Sequence, residues 1–202
     1  MDVRKKTIEE YLELFAGSAP VPGGGGVSSV VGALAAASGE MVCSLTLGKK
    51  KFENIEPEIK GIALKLGQTR EKLLTLADKD AEVFEPLAEA YKDDTKSEEE
   101  MDELYVTAAG VPLEVIRCVY SILEDIEFLA DKGSRLAVSD AGCAAVYARA
   151  AISGEILNVR INTRCIKNSE IRSEIDDEAD LLYQTAMKQC DQIFEKVMKG
   201  WE

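Results

Sequence analysis

The chain has 202 residues, 46% hydrophobic and 30% charged, which suits one domain with a real core and is too apolar for disorder throughout. Its formal net charge of −13 repels phosphate backbones and anionic lipid surfaces, so nucleic acid and membrane surfaces are disfavoured as partners. It contains no histidine, so acid–base chemistry has to run on other groups and the usual zinc ligand sets are missing.

The first helix is predicted to start near Thr7, where Thr7 and Glu10 have the spacing of a capping box. Ile8, Tyr11, Leu12 and Phe15 follow as an apolar stripe at helical spacing, and Gly17 ends it. Residues 18–26, SAPVPGGGG, read as a loop with prolines at its entry and four glycines at its exit. A second helix is expected from about Val27 to Leu47. Its first half is made of small residues, with Ser28, Gly32 and Ala36 on one face and Ser29, Ala33 and Ala37 on another. Such faces allow close backbone approach, which suits a central helix packed on a neighbour or a symmetry mate.

Pro57 fits the first turn of a third helix reaching about Tyr91, roughly 50 Å long, with a bend at Pro86. Lys92 to Lys96 reads as a polar loop. Ser97 and Glu100 form a second capping box, starting a helix through Ala109 that Pro112 kinks or restarts and that continues to about Leu129. Asp131-Lys132-Gly133 is a stop. Another helix is expected from about Ser139 to Leu157, with Asn158 to Asn162 either continuing it or turning. The last runs from about Ser169 to Met198. No alternating β pattern and no fixed repeat is found, so the expectation is an all-α antiparallel bundle of six to eight helices, some long, forming a single domain over residues 1–202.

The five scattered cysteines contain no C-x-x-C pair and read as reduced thiols, mostly buried, in a cytoplasmic protein. The first residues have no apolar signal-peptide core, and the most apolar run, Val27 to Ala37, is too short to span a bilayer, so no membrane segment is expected.

Several residues invite chemistry. The run Gly23, Gly24, Gly25, Gly26 before a helix either binds an anion through backbone N–H groups or is simply a tight connection. Lys49, Lys50 and Lys51 either hold ligand carboxylates or offset a helix dipole. Asp78 and Asp80 lie mid-helix, where aspartate is unfavourable. Asp80 shares a face with Ala77, Val83 and Phe84, so it is either a partly buried acid–base group or one end of an ion pair. Ser139 and Asp140 read as a helix cap, and Asn158 and Asn162 can present two amides to one polar heterocycle.

The blocks PVPGGGGVSSVVGALAAASGEMV, LTLGKKKF, LADKDAEVF, VPLEVI and SDAGCAAVYARAAISGEILNVRIN, taken in this order, resemble the cyclodeaminase/cyclohydrolase family. That family comprises the C-terminal domain of formiminotransferase-cyclodeaminase and its free-standing bacterial relatives. The resemblance spans about residues 20 to 165, and with the flanking helices nearly the whole chain. Gly26 departs from the three-glycine pattern. The resemblance implies an all-α homodimer acting on a tetrahydrofolate substrate; no cofactor is expected beside that substrate, and no metal, since the histidine ligands are missing. It implies a folate site lined by Gly23 to Gly26, by Lys49 and Lys50 on the glutamate tail, and by Asn158 and Asn162 on the pterin or the reacting centre. Asp80 is then the expected catalytic carboxylate, and Asp140 an alternative one. The activity implied is methenyltetrahydrofolate cyclohydrolase, with formimidoyltetrahydrofolate cyclodeaminase as the alternative and a non-catalytic helical folate-binding or scaffold protein behind both.

Overall fold

A computed structural model describes residues 2–92 and 95–200. Its described residues form seven α-helices and three short 3₁₀ turns, with no strand among them. In chain order the helices are α1 (Ile8–Ala16), α2 (Gly24–Thr46), α3 (Glu56–Ala90), α4 (Glu98–Tyr120), α5 (Leu123–Lys132), α6 (Val138–Thr163) and α7 (Ser169–Lys199). The 3₁₀ turns are Val3–Lys5, Lys50–Ile55 and Arg135–Ala137. Asp93 and Asp94, in the expected polar loop, lie outside the described residues.

Local capping chemistry sets several ends. Both expected capping boxes form, at Thr7/Glu10 and Ser97/Glu100. Asn168 caps α7 by accepting the Glu170 and Ile171 amides. At α6 the expected Ser139–Asp140 cap is absent: the 3₁₀ turn before it carries the chain straight in, the N-cap is Ala137, and Asp140 lies in the first turn.

α2 is the axle of the bundle, packed along α3 on one side and α6 on the other. Its small residues make this possible. A β-carbon on Gly32 would stand 2.8 Å from Val119 Cγ2, and one on Gly39 2.8 Å from Leu66 Cδ1. Leu66, Leu73, Ile116, Ile126, Ile152 and Ile193 fill the space around it and are fully buried, each contributing about 1.5–3 kcal/mol. α2, and α4 together with α5, are apolar and long enough to cross a bilayer by length and composition, contrary to the short run read from the sequence. Half of that stretch in α2 and 61% of that in α4–α5 is buried inside the bundle.

Two boundaries differ from the sequence expectation, at the start of α2 and after Tyr120, and two points that the sequence left open, at Pro112 and at Asn158 to Asn162, are resolved. Gly24, Gly25 and Gly26 are the first turn of α2 rather than a loop, because a carboxylate from α3 bonds the Gly26 amide. α6 runs unbroken through Asn158 and Asn162. α4 passes through Pro112 without ending. Proline at 112 cannot bond the carbonyl of Ala108 four residues back, and Asn162 Nδ2 donates to that carbonyl instead at 3.3 Å. The chain does break after Tyr120, where Ser121 Oγ turns back to the Cys118 carbonyl at 2.8 Å, so that the helix expected to reach Leu129 is two helices.

Candidate active site

The glycine turn opening α2 meets α3 from one side and the C-terminal half of α6 from the other. Between them is a cleft of about 200 Å³ lined by Pro20, Val21, Gly23, Gly24, Gly25, Asp80, Val83, Phe84, Tyr91, Ala108, Asn158, Ile161 and Asn162. An adjoining groove of about 360 Å³ shares Pro20, Val21 and Phe84 with it, so a ligand longer than the cleft has somewhere to lie. A more open groove of about 440 Å³ lies elsewhere, between the start of α4 and the end of α6. Of its two acids, Asp102 is already committed to the Lys167 and Asn168 amides at 2.7 and 2.8 Å, and Glu98 is exposed in the first turn of α4.

Asp80 reaches out of α3 and accepts the Gly26 amide on Oδ2 at 2.8 Å. In effect it caps α2 from another helix, since Gly23 has no side chain to do so. The amides of Gly24 and Gly25 have no carbonyl within their own helix to bond, and both residues line the cleft. The approach requires glycine: a β-carbon on Gly25 would fall 2.5 Å from Asp80 Oδ1, and one on Gly26 3.2 Å from the Ala77 carbonyl. Burial pushes the Asp80 carboxyl above its ordinary range, and the Gly26 amide partly offsets that rise.

Asn158 and Asn162 stand one turn apart on α6 and both face the cleft. Asn158 Nδ2 donates to the Gly154 carbonyl at 3.0 Å, and Asn162 Nδ2 to the carbonyls of Asn158 (2.9 Å) and Ala108. With both NH₂ groups committed to backbone, the amide oxygens remain to accept from a ligand's N–H groups.

Two groups beside the cleft escaped the sequence reading. Glu155, one turn before Asn158, is fully buried, and neither carboxyl oxygen has a hydrogen-bond partner. Burial raises its pKa far above the usual carboxylate range and the Asp80 charge adds to the rise. The Asn158 amide pulls the other way without reaching hydrogen-bond geometry. The signal was present in the sequence: Ala148, Ala151, Ile152, Glu155 and Val159 recur at the spacing of one buried helix face, and one of them is an acid. Tyr11, read as part of an apolar stripe, is buried with its hydroxyl unpartnered. Burial, then Asp80, then Asp78 push that hydroxyl up to about 12.

Other expected residues lie elsewhere in the chain. Asp78 points to the N-terminal segment, accepting the Val3 amide at 2.9 Å with Arg4 4.0 Å away. Lys49 and Lys50 are exposed beyond the far end of α2, roughly 35 Å from the glycine turn at 1.5 Å per residue. Asp140 stands at the opposite end of α6 from Asn158, about 27 Å away by the same measure. One chain therefore brings together Asp80, the glycines and the asparagines, but neither the lysines nor Asp140. No group of acids and cysteines among the described residues has the arrangement of a metal site.

A sequence-family model described as Formiminotransferase-cyclodeaminase matches residues 7–181. The methenyltetrahydrofolate cyclohydrolase of Methylorubrum extorquens is 34% identical over 95% of this chain and 96% of its own. The formimidoyltransferase-cyclodeaminase of Gallus gallus is 27% identical over 90% of this chain, which spans only 35% of that protein's length. The crystal structure of formiminotetrahydrofolate cyclodeaminase from Thermotoga maritima superposes with a TM-score of 0.87 at 35% identity, over 98% of this chain and 96% of that one.

Proposed function

The chain belongs to the formiminotransferase-cyclodeaminase family, and on that premise we propose that it is a methenyltetrahydrofolate cyclohydrolase, converting 5,10-methenyltetrahydrofolate and water to 10-formyltetrahydrofolate. The observation carrying this reading is Asp80, a partly desolvated carboxylate held over the glycine turn in a cleft that Asn158 and Asn162 also line. The likeness to the Methylorubrum enzyme over nearly the full length of both chains supports the choice of direction.

The chemistry needs one group that takes and returns a proton. Water adds to the cationic carbon between N5 and N10 while Asp80 accepts its proton. The resulting carbinolamine opens as Asp80 returns that proton to N5, the C–N5 bond breaks, and the hydroxyl proton leaves to give the formyl C=O. Asn158 and Asn162 accept from the N–H groups of the pterin, and the free amides of Gly24 and Gly25 hold its oxygen.

The same site serves the cyclodeaminase reaction, in which N10 attacks the formimino carbon and ammonia leaves after protonation of its nitrogen. The likeness to the Thermotoga protein favours keeping this second reading. The decisive assay mixes purified protein with each substrate. Loss of the methenyl absorbance, abolished in Asp80→Asn with its helical spectrum intact, supports the cyclohydrolase. Appearance of that absorbance with ammonia release from 5-formiminotetrahydrofolate supports the cyclodeaminase. Folate binding without turnover of either supports a non-catalytic protein.

As part of this proposal the enzyme is a cytoplasmic homodimer. Leu34, Met41 and Leu45 form an exposed apolar stripe along α2, between its glycine end and its lysine end. Two copies pairing α2 antiparallel along that stripe bring Lys49 and Lys50 of one chain to the cleft of the other, where they hold the glutamate tail that their own chain cannot reach.

A further inference from the structure

Glu155 is a carboxyl with nothing to bond. It is fully buried in the middle of α6, on the face that carries Asn158 and Asn162, and both its oxygens are unpartnered. A leucine or methionine there would leave no polar atom stranded. Asp80 is the ionisable group whose charge reaches it, and the Asn158 amide is the other polar influence. The lining of the cleft includes an acid, Asp80, but no lysine or arginine. Two carboxyls, one exposed to the ligand and one behind it, with no basic side chain of the same chain lining the cleft, suit a ligand whose reacting end is positively charged.

We propose that Glu155 is the site's mobile counter-charge: it loses its proton as a cationic one-carbon folate docks and regains one as hydrolysis discharges that cation. The inference rests on the folate reading above and assigns a positioning residue to it. On binding, Glu155-COOH becomes carboxylate and one proton passes to solvent, so the cation is met by opposite charge. Water then adds, Asp80 takes its proton and returns it to N5, and the bond from carbon to N5 breaks. The hydroxyl proton given up as the formyl C=O forms ends on Glu155. The reacting end of the product, now uncharged, thus faces a neutral carboxyl, which favours its release.

The test uses Asp80→Asn protein, in which the cation binds without being consumed. Calorimetric titration with 5,10-methenyltetrahydrofolate in two buffers of different ionisation heat counts the protons released. About one proton per site is expected from D80N and none from D80N/E155Q, which should also bind the cation roughly tenfold more weakly. 10-Formyltetrahydrofolate, whose one-carbon unit carries no charge, should release none from either. D80N/E155M takes the place of the glutamine variant if the latter loses its helical spectrum. Infrared spectra of ligand-free protein at neutral pH supply a readout independent of folate: a protonated-carboxyl stretch that disappears in E155Q. Absence of that band, or equal proton release with and without Glu155, overturns the counter-charge role. Failure of the cation to bind wild type and D80N alike overturns the folate reading itself, and the infrared band still reports whether Glu155 stores a proton.

Discussion

Asp80 Oδ1 sits 2.5 Å from the point where a β-carbon on Gly25 would stand. The carboxylate and the glycine are therefore matched across two helices, and neither can change without moving the other. Gly25→Ala should push the carboxylate off the Gly26 amide, lowering turnover about a hundredfold, as expected for a displacement near 1 Å at a reacting centre. Gly24→Ala, whose β-carbon would meet only the Asn158 amide at 3.7 Å, should fold as well as wild type. Steady-state kinetics with thermal melts on both variants check the contrast. Equal losses in the two would show that the glycine turn matters for something other than seating Asp80.

Stability should depend on pH through Glu155. Its folded-state pKa lies well above the ordinary value of 4.5, so the folded protein keeps a proton that the unfolded chain releases. Between that ordinary value and the folded value the native state binds more protons, and stability falls as pH rises. Asp80, raised in the same direction by burial, adds to the slope. Glu155→Gln removes the Glu155 contribution. The variant should gain stability relative to wild type at pH 8, and the gain should shrink at pH 5. Urea melts at the two values decide it, and a gain that grows toward acid pH would contradict the assignment.

Asn162 ties α6 to the carbonyl that Pro112 leaves open in α4. Asn162→Leu should strand that carbonyl on Ala108, which is buried, and cost about 1–3 kcal/mol of stability. Adding Pro112→Ala should recover part of the loss, because an amide at 112 can bond Ala108 again. A double-mutant cycle in denaturant measures the coupling, and additive losses would show that the two sites are independent.

If the lysines act across a dimer, complementary variants should rescue each other. D80N chains and chains carrying Lys49→Ala with Lys50→Ala should each be poor with polyglutamylated substrate. Mixed dimers regain one intact site, combining Asp80 from one chain with Lys49 and Lys50 from the other. Refolding the two together and assaying at low substrate tests this; activity no higher than the sum of the separate variants rules out a shared site.

Local signals in the sequence were sufficient for the helical class and for the Thr7/Glu10 and Ser97/Glu100 starts, because a capping box is complete within four residues. Asp80 was legible as a carboxylate in an unfavourable helical position. What was not legible depends on partners far along the chain. Gly24 to Gly26 became helix because a residue 54 positions away bonds the Gly26 amide. Asn158 and Asn162 stayed in a helix because their amides found carbonyls in α6 and α4. The placement of Lys49, Lys50 and Asp140 follows from the length of α2 and α6, which composition does not reveal. Glu155 was visible as an acid on an apolar face, but its lack of any partner is a property of the packed bundle.

The N-terminal segment has a practical bearing on all of these measurements. The Val3 amide bonds Asp78, two residues before Asp80, and Arg4 reaches the Glu71 carbonyl at 2.8 Å and Thr75 Oγ1 at 3.0 Å, clasping α3 along the turns that lead to Asp80. A purification tag fused ahead of Val3 would tug on this strap, whose anchor at Asp78 stands two residues from Asp80. Kinetic comparisons between preparations should therefore use protein from which any leading tag has been cleaved.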